Sequence, residues 1–204
     1  MPSPNVRIGL LIYFVLFLGA CLLWRMMRVW KKTKINPLML QSGLSKDTAH
    51  DYVTQHFKWL SLISALIFVY GAVDSRIYSW LIPIPYFLGP GFQYFGWAIL
   101  GISFVICVVA QTQMGNSWRV GIDFKNRTEL VHQGIFRASR NPIFMTMIGT
   151  LLGVFLLIPN AWTLVLLIQG YTIVQIQVRL EEQHLATLHG DHYRRYCSQV
   201  RRWF

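Results

Sequence analysis

Residues 8–24 read IGLLIYFVLFLGACLLW without one charged side chain. Similar uncharged runs occupy 91–110, 142–158 and 161–178. A fifth apolar stretch, 57–80, is less clean, with Asp74 and Arg76 near its far end. A hydrocarbon core of about 30 Å takes a helix of roughly 20 apolar residues, so these five stretches are expected to be membrane spans. Burying them instead in a soluble bundle would need polar surface that the chain lacks. Charged residues make up 13% and hydrophobic residues 54%, against about 25% charged in a soluble domain. Disorder is excluded by the same balance. A secretory signal is excluded because the basic residues Arg25, Arg28, Lys31 and Lys32 follow the first apolar run rather than precede it. Trp24 and Trp30 are expected to anchor that span.

The direction of threading follows from the basic residues. With the N-terminus outside, the inner segments are 25–58, 111–141 and 179–204, holding seven, five and five of the 19 lysines and arginines. Arg7 and Arg76 remain outside. This is the bias of the positive-inside rule, so the net charge of +11 reads as threading and not as a nucleic-acid surface. The expected fold is an all-α polytopic membrane bundle of about five spans, one integral membrane domain over 1–204. Pro159 and Asn160 make the turn of a C-terminal helical hairpin whose two arms are somewhat short. The simplest host is the plasma (inner) membrane. The three cysteines, Cys21, Cys107 and Cys197, fit no metal or disulfide spacing.

Functional groups concentrate on the inner side, at 111–144 and 179–196, where a cofactor pocket would face the cytoplasm. In the first region Gly115, Gly121 and Gly134 permit tight backbone. Arg140, Asn141 and Pro142 open the fourth span, with Pro142 suited to the first helical turn and Asn141 placed to cap it. Free N–H groups beside a guanidinium make a site for a carboxylate or phosphate; the alternative is a capped helix with a snorkelling arginine. In the second region Arg179, Glu182 and His189 fall near one helical face, with Glu181 and His184 to its sides. An Arg179–Glu182 ion pair that closes the helix is the plain reading. The histidines lack a metal-ligand pattern, and no metal is expected. His132 reads as a polar loop residue or hydrogen-bonding partner.

Both regions resemble the isoprenylcysteine carboxyl methyltransferase family of membrane methyltransferases, which is related to the phospholipid methyltransferases. The likeness covers roughly 100–204. It rests on Met114, Gly115 and Trp118; on Leu130, Val131, Gly134 and Phe136; and on Arg140, Asn141, Pro142 and Phe144. It continues through Glu181, Glu182, Leu185, Gly190, Tyr193 and Tyr196 to the basic Arg201 and Arg202. Asn141 stands where the family has histidine and Phe144 where it has tyrosine. Asparagine still donates and accepts hydrogen bonds but carries no proton charge.

The resemblance implies S-adenosylmethionine as methyl donor, bound without a dinucleotide-type fold. In that reading Arg140 and the backbone at Asn141 hold the donor's carboxylate and Glu181 its ammonium group. Val131, His132, Gly134 and Phe136 wall the adenine and ribose, and Tyr193 and Tyr196 close the lower side. Arg179 orients a carboxylate acceptor, with Glu182 holding Arg179 or shaping the acceptor pocket. For a thiol, phenol or amine acceptor, Glu182 or His189 serves as base. The acceptor reaches the pocket through the membrane lipid, so a prenylated cysteine, an aminophospholipid and a small hydrophobic metabolite all remain open. The competing reading is a small transporter or scaffold subunit without chemistry.

Overall fold

The apolar runs among the described residues become helices because backbone N–H and C=O groups in lipid have no other partners. The structure is a computed structural model, and it describes residues 3–38, 51–52, 55–56, 58–60, 62–65, 76–123, 126 and 128–203. Half of the expected span at 57–80 lies outside these residues.

Helix α1 (Pro4–Phe17) starts at Ser3, whose hydroxyl accepts the N–H of Val6 at 3.4 Å, with Pro4 in the first turn. It runs on through a π-helical segment, Leu18–Trp24, into α2 (Arg25–Thr33). Val6, Leu10, Cys21, Arg25 and Val29 are buried, at separations of 4, 11, 4 and 4 residues. A pure α-helix, at 3.6 residues per turn, would rotate such a stripe steadily off its partner. The wider π turns bring it back, so Cys21 and Arg25 stay on the packed side. Lys34 ends α2 in the left-handed region, at φ 58°.

Helix α3 (Pro90–Met114) has 25 residues, about 38 Å at 1.5 Å per residue. Helix α4 (Pro142–Leu157) has 16, or about 24 Å, less than a full hydrocarbon core. Helix α5 (Ala161–His189) has 29, about 44 Å, so it overshoots its apolar part and carries Glu181 and Glu182 on its far turns. Gly190, at φ +53°, turns the chain into α6 (Asp191–Gln199). The joint between α4 and α5 is set by Asn160, whose side chain accepts from Thr163 N while Thr163 Oγ1 accepts from Asn160 N, a reciprocal capping box. The 78–84 segment clasps this joint. Tyr78 donates its hydroxyl hydrogen to Pro159 O at 3.0 Å, Ile84 N–H bonds the same carbonyl, and Ala161 N–H meets Leu81 O and Ile82 O.

The tightest helix crossing is α3 on α4. A Cβ at Gly96 would lie 3.1 Å from Gly153 O, and one at Gly153 would lie 2.7 Å from Leu100. Small residues are what allow such approach in a membrane bundle. Against this pair α1 contributes Val6 and Leu10, which join Leu100 and Leu157 in the core. The opposite faces present Val15, Leu16, Tyr94, Phe95, Ile102 and Ile168 outward. Among the described residues three helices are long and apolar enough to cross a membrane, Pro4–Thr33, Pro90–Ser117 and Ala161–His189, and Pro142–Leu157 is a shorter apolar helix. The protein is an all-α, multi-pass membrane protein.

Candidate functional site

The overshoot of α5 brings Glu182 beside the start of α4 and the tail after α6. Glu182 Oε1 accepts from Arg140 Nε (3.2 Å), Arg140 Nη2 (3.1 Å) and Asn141 Nδ2 (3.0 Å). Its Oε2 accepts from Arg202 Nε (3.0 Å) and Nη2 (2.7 Å). Arg140 Nη1 donates to the carbonyls of Cys197 (3.1 Å) and Val200 (2.9 Å). The tail is fixed at backbone level too, with Arg140 N–H on Arg201 O at 3.0 Å and Ser139 Oγ on Arg202 O at 3.1 Å. A lone buried carboxylate would be unstable; charge-assisted bonds from two forked guanidinium groups compensate its desolvation. The knot carries two positive charges and one negative, leaving a net +1.

Beside it lies a cleft of about 100 Å³, lined among others by Val131, Phe136, Arg140, Asn141, Glu181, Tyr193 and Tyr196. Along 128–130 it adjoins an open groove of about 450 Å³ that reaches His189 and His192. Tyr196 donates its hydroxyl hydrogen to Phe136 O at 2.6 Å, which pins α6 to the turn Gly134–Arg137. Burial pushes the Tyr196 phenol up to about 12, with Cys197 and Glu182 adding to the rise and Arg140 opposing it. Burial likewise raises Tyr193, helped by Glu182 and Cys197. Both hydroxyls therefore stay protonated at neutral pH. On the opposite wall Arg119 Nε donates to Asp123 Oδ2 at 3.2 Å, in a pair whose side chains are 8% and 2% exposed. Glu181 lines the cleft and makes no hydrogen bond or ion pair to any described residue.

The structure thus gathers seven of the expected cofactor residues around one cleft. His132 and Gly134 sit beside it. His132 is exposed, its ring 5.6 Å from that of His192 and 6.4 Å from that of Tyr196. Gly134, at φ +61°, packs against Gln113, whose Oε1 accepts Ile135 N–H at 2.8 Å; a side chain at 134 would collide with it.

Three expectations are corrected. Arg179 does not meet Glu182; its Nη1 turns back one helical turn to Gln175 O at 2.8 Å, because Glu182 faces the start of α4. Arg140 does not snorkel away from the start of α4, since Glu182 and two carbonyls hold its guanidinium. Asn141 holds the N-cap position of α4 without a side-chain cap, its amide being given to Glu182 and to Arg202 O (3.3 Å). Sequence reasoning did not single out Arg119 and Asp123, whose i,i+4 spacing was the available signal, and it saw Arg202 only as part of a basic end. Among the described residues no three His, Cys, Asp or Glu side chains converge as a metal site would require.

Residues 92–192 match the phospholipid methyltransferase family. The match runs from the first turn of α3 into the first turn of α6 and takes in most of the cleft. No curated protein matches the chain. A domain of this family supports S-adenosylmethionine as methyl donor and a lipid or hydrophobic partner, without singling out the prenylcysteine branch. Over residues 92–192, therefore, this membrane protein carries a methyltransferase domain of the phospholipid methyltransferase family.

Proposed function

We propose that the chain methylates a membrane-lodged acceptor that presents an amine, as an aminophospholipid does, and that the cleft beside the Arg140–Glu182–Arg202 knot holds the donor. The donor set suits S-adenosylmethionine. Its amino-acid end is a zwitterion, and the cleft offers the matching pair: the net +1 of the knot for the carboxylate and uncommitted Glu181 for the ammonium. Val131, Phe136, Tyr193 and Tyr196 offer apolar and aromatic walls to the adenosine. The cleft and its adjoining groove together give the about 300–1,000 Å³ usual for a small-molecule site.

When bound, the donor supplies a methyl group already activated on a sulfonium, so the protein's work is orientation and exclusion of water. Phe136, Tyr193 and Tyr196 exclude water. Burial and the neighbouring Glu182 push the Glu181 carboxyl up to about 7, so a cationic group beside it draws it into its charged form. Glu182 acts as a positioning residue: it fixes Arg140 and Asn141, and with them the start of α4. His184 and Glu129, which also line the cleft, and Glu181 are among the groups that can accept a proton from an ammonium acceptor.

The observation that carries the amine reading is the state of the arginines. Arg140 and Arg202 are bound to Glu182, Arg119 is bound to Asp123, and Arg179 lies outside the cleft. A carboxylate acceptor such as a prenylated cysteine needs a cation beyond the one that holds the donor's carboxylate; among the described residues that line the cleft both arginines are already paired, and Glu129 and Glu181 add acidic groups there. The test uses S-adenosylmethionine labelled in its methyl group, with vesicles containing phosphatidylethanolamine or with a farnesylated cysteine. Base-stable label in the phospholipid is the expected result. Base-labile label in the farnesyl cysteine alone would give the carboxylate reading its place, and no saturable donor binding by folded protein would sink the methyltransferase site.

A further inference from the structure

Arg25 is 3% exposed, yet no carboxylate among the described residues pairs with it. Its Nη2 donates to Gly115 O, and its guanidinium lies over the Trp118 ring, 5.9 Å from the centroid. Gly115 is the C-cap of α3, so the carbonyl end of that helix supplies partial negative charge, and the indole face supplies more. A helix terminus and an aromatic face together replace a counter-ion.

A second tie follows in the same segment. Pro37 O accepts Val120 N–H at 2.9 Å, and Leu38 pairs with Val120 in a parallel bridge. Between them the two ties hold residues 115–120, and Ser117, Arg119, Gly121 and Ile122 of this stretch and its continuation line the cleft. Arg25, Pro37 and Leu38 all precede residue 92, where the family match begins.

We propose that segment 25–38 is a positioning element for the donor cleft, with Arg25 acting through Gly115 and Trp118 to set the wall that carries Ser117 and Arg119. The inference rests on the reading of the cleft as the S-adenosylmethionine site. Burying an arginine in a membrane protein is expensive and marks function more often than packing. An apolar residue would fill the same space without orienting a carbonyl and an indole at once.

The experiment compares the parent with Arg25→Ala, Arg25→Lys, Trp118→Leu and the Arg25→Ala/Trp118→Leu double variant. Each is purified in lipid nanodiscs, melted thermally and titrated with S-adenosylmethionine by calorimetry. Displacement of a site wall by an ångström is enough for large losses; we expect about tenfold weaker binding in Arg25→Ala, partial recovery in Arg25→Lys, and a double variant no weaker than the weaker single one. Parent-like affinity in the folded single variants overturns the inference. So does a loss of affinity that merely follows the loss of thermal stability, or that adds in the double variant. If Arg25→Ala does not fold, Arg25→Lys and Trp118→Leu decide on the same readouts. A parent that binds no donor overturns the site reading and this inference with it, whereas a binding parent with unaffected variants overturns this inference alone.

Discussion

Glu181 and Glu182 are neighbours in the chain, and their surroundings give them different work. Glu182 is bound on both oxygens by Arg140, Asn141 and Arg202. Glu182→Gln leaves two guanidinium groups without their counter-charge, and truncating one partner of a buried pair costs about 3–5 kcal/mol. A drop of that size should appear in thermal or denaturant unfolding. Glu181→Gln breaks no contact with the described residues; its stability should stay within about 0.5 kcal/mol of the parent, while calorimetry should register a clear loss of donor affinity. Tyr196→Phe removes one hydrogen bond to Phe136 O, worth about 1 kcal/mol. The folded-state phenol lies near 12 and an unfolded one near 10. Its contribution is therefore fully present below pH 10 and is lost as pH rises from about 10 to 12. In a pH series of unfolding measurements, Tyr196→Phe should lack that part of the alkaline decline.

Among the helices and connectors, two backbone features set stability. Ile82 adopts φ 55°, a conformation that a β-branched residue enters at a cost of about 1–2 kcal/mol, and its carbonyl accepts Ala161 N–H. Ile82→Gly should keep the carbonyl in place and stabilise the fold by about 1 kcal/mol, measured as a rise in the melting temperature. Gly153→Leu should act the other way, since its Cβ alone would come within 2.7 Å of Leu100; overpacking of this kind costs about 1–3 kcal/mol and should separate α3 from α4. The sequence made the long helices legible, because uncharged runs of this length have few other fates. It left the π segment hidden, because residues 18–24 differ in hydrogen-bond register and not in apolar character. It also left hidden the overshoot of α5, where the hydropathy falls after Val178 but the helix does not stop.

At the scale of the whole molecule, α4 is the mismatched member, with 16 residues beside the 25 of α3. A thick bilayer must thin locally around it, at fractions of a kcal/mol per ångström. Melting in nanodiscs of increasing acyl length should therefore show highest stability in the thinner lipids. Residue types of the site were readable from the sequence, since acids after an apolar run and an arginine before a helical proline stand out. Their partners were not, because Arg140, Glu182 and Arg202 are separated by 42 and 20 positions and local spacing favoured the nearer Arg179. The buried state of Arg25 was likewise invisible, since its acceptor lies 90 positions downstream. That separation has a consequence for biogenesis. The first helix enters the bilayer before the ribosome has made Gly115 or Trp118, so at that stage the guanidinium must remain hydrated among the headgroups. Its descent into the protein waits for α3 to arrive, and nascent chains arrested before and after residue 118 should therefore differ in how deeply the first helix is seated.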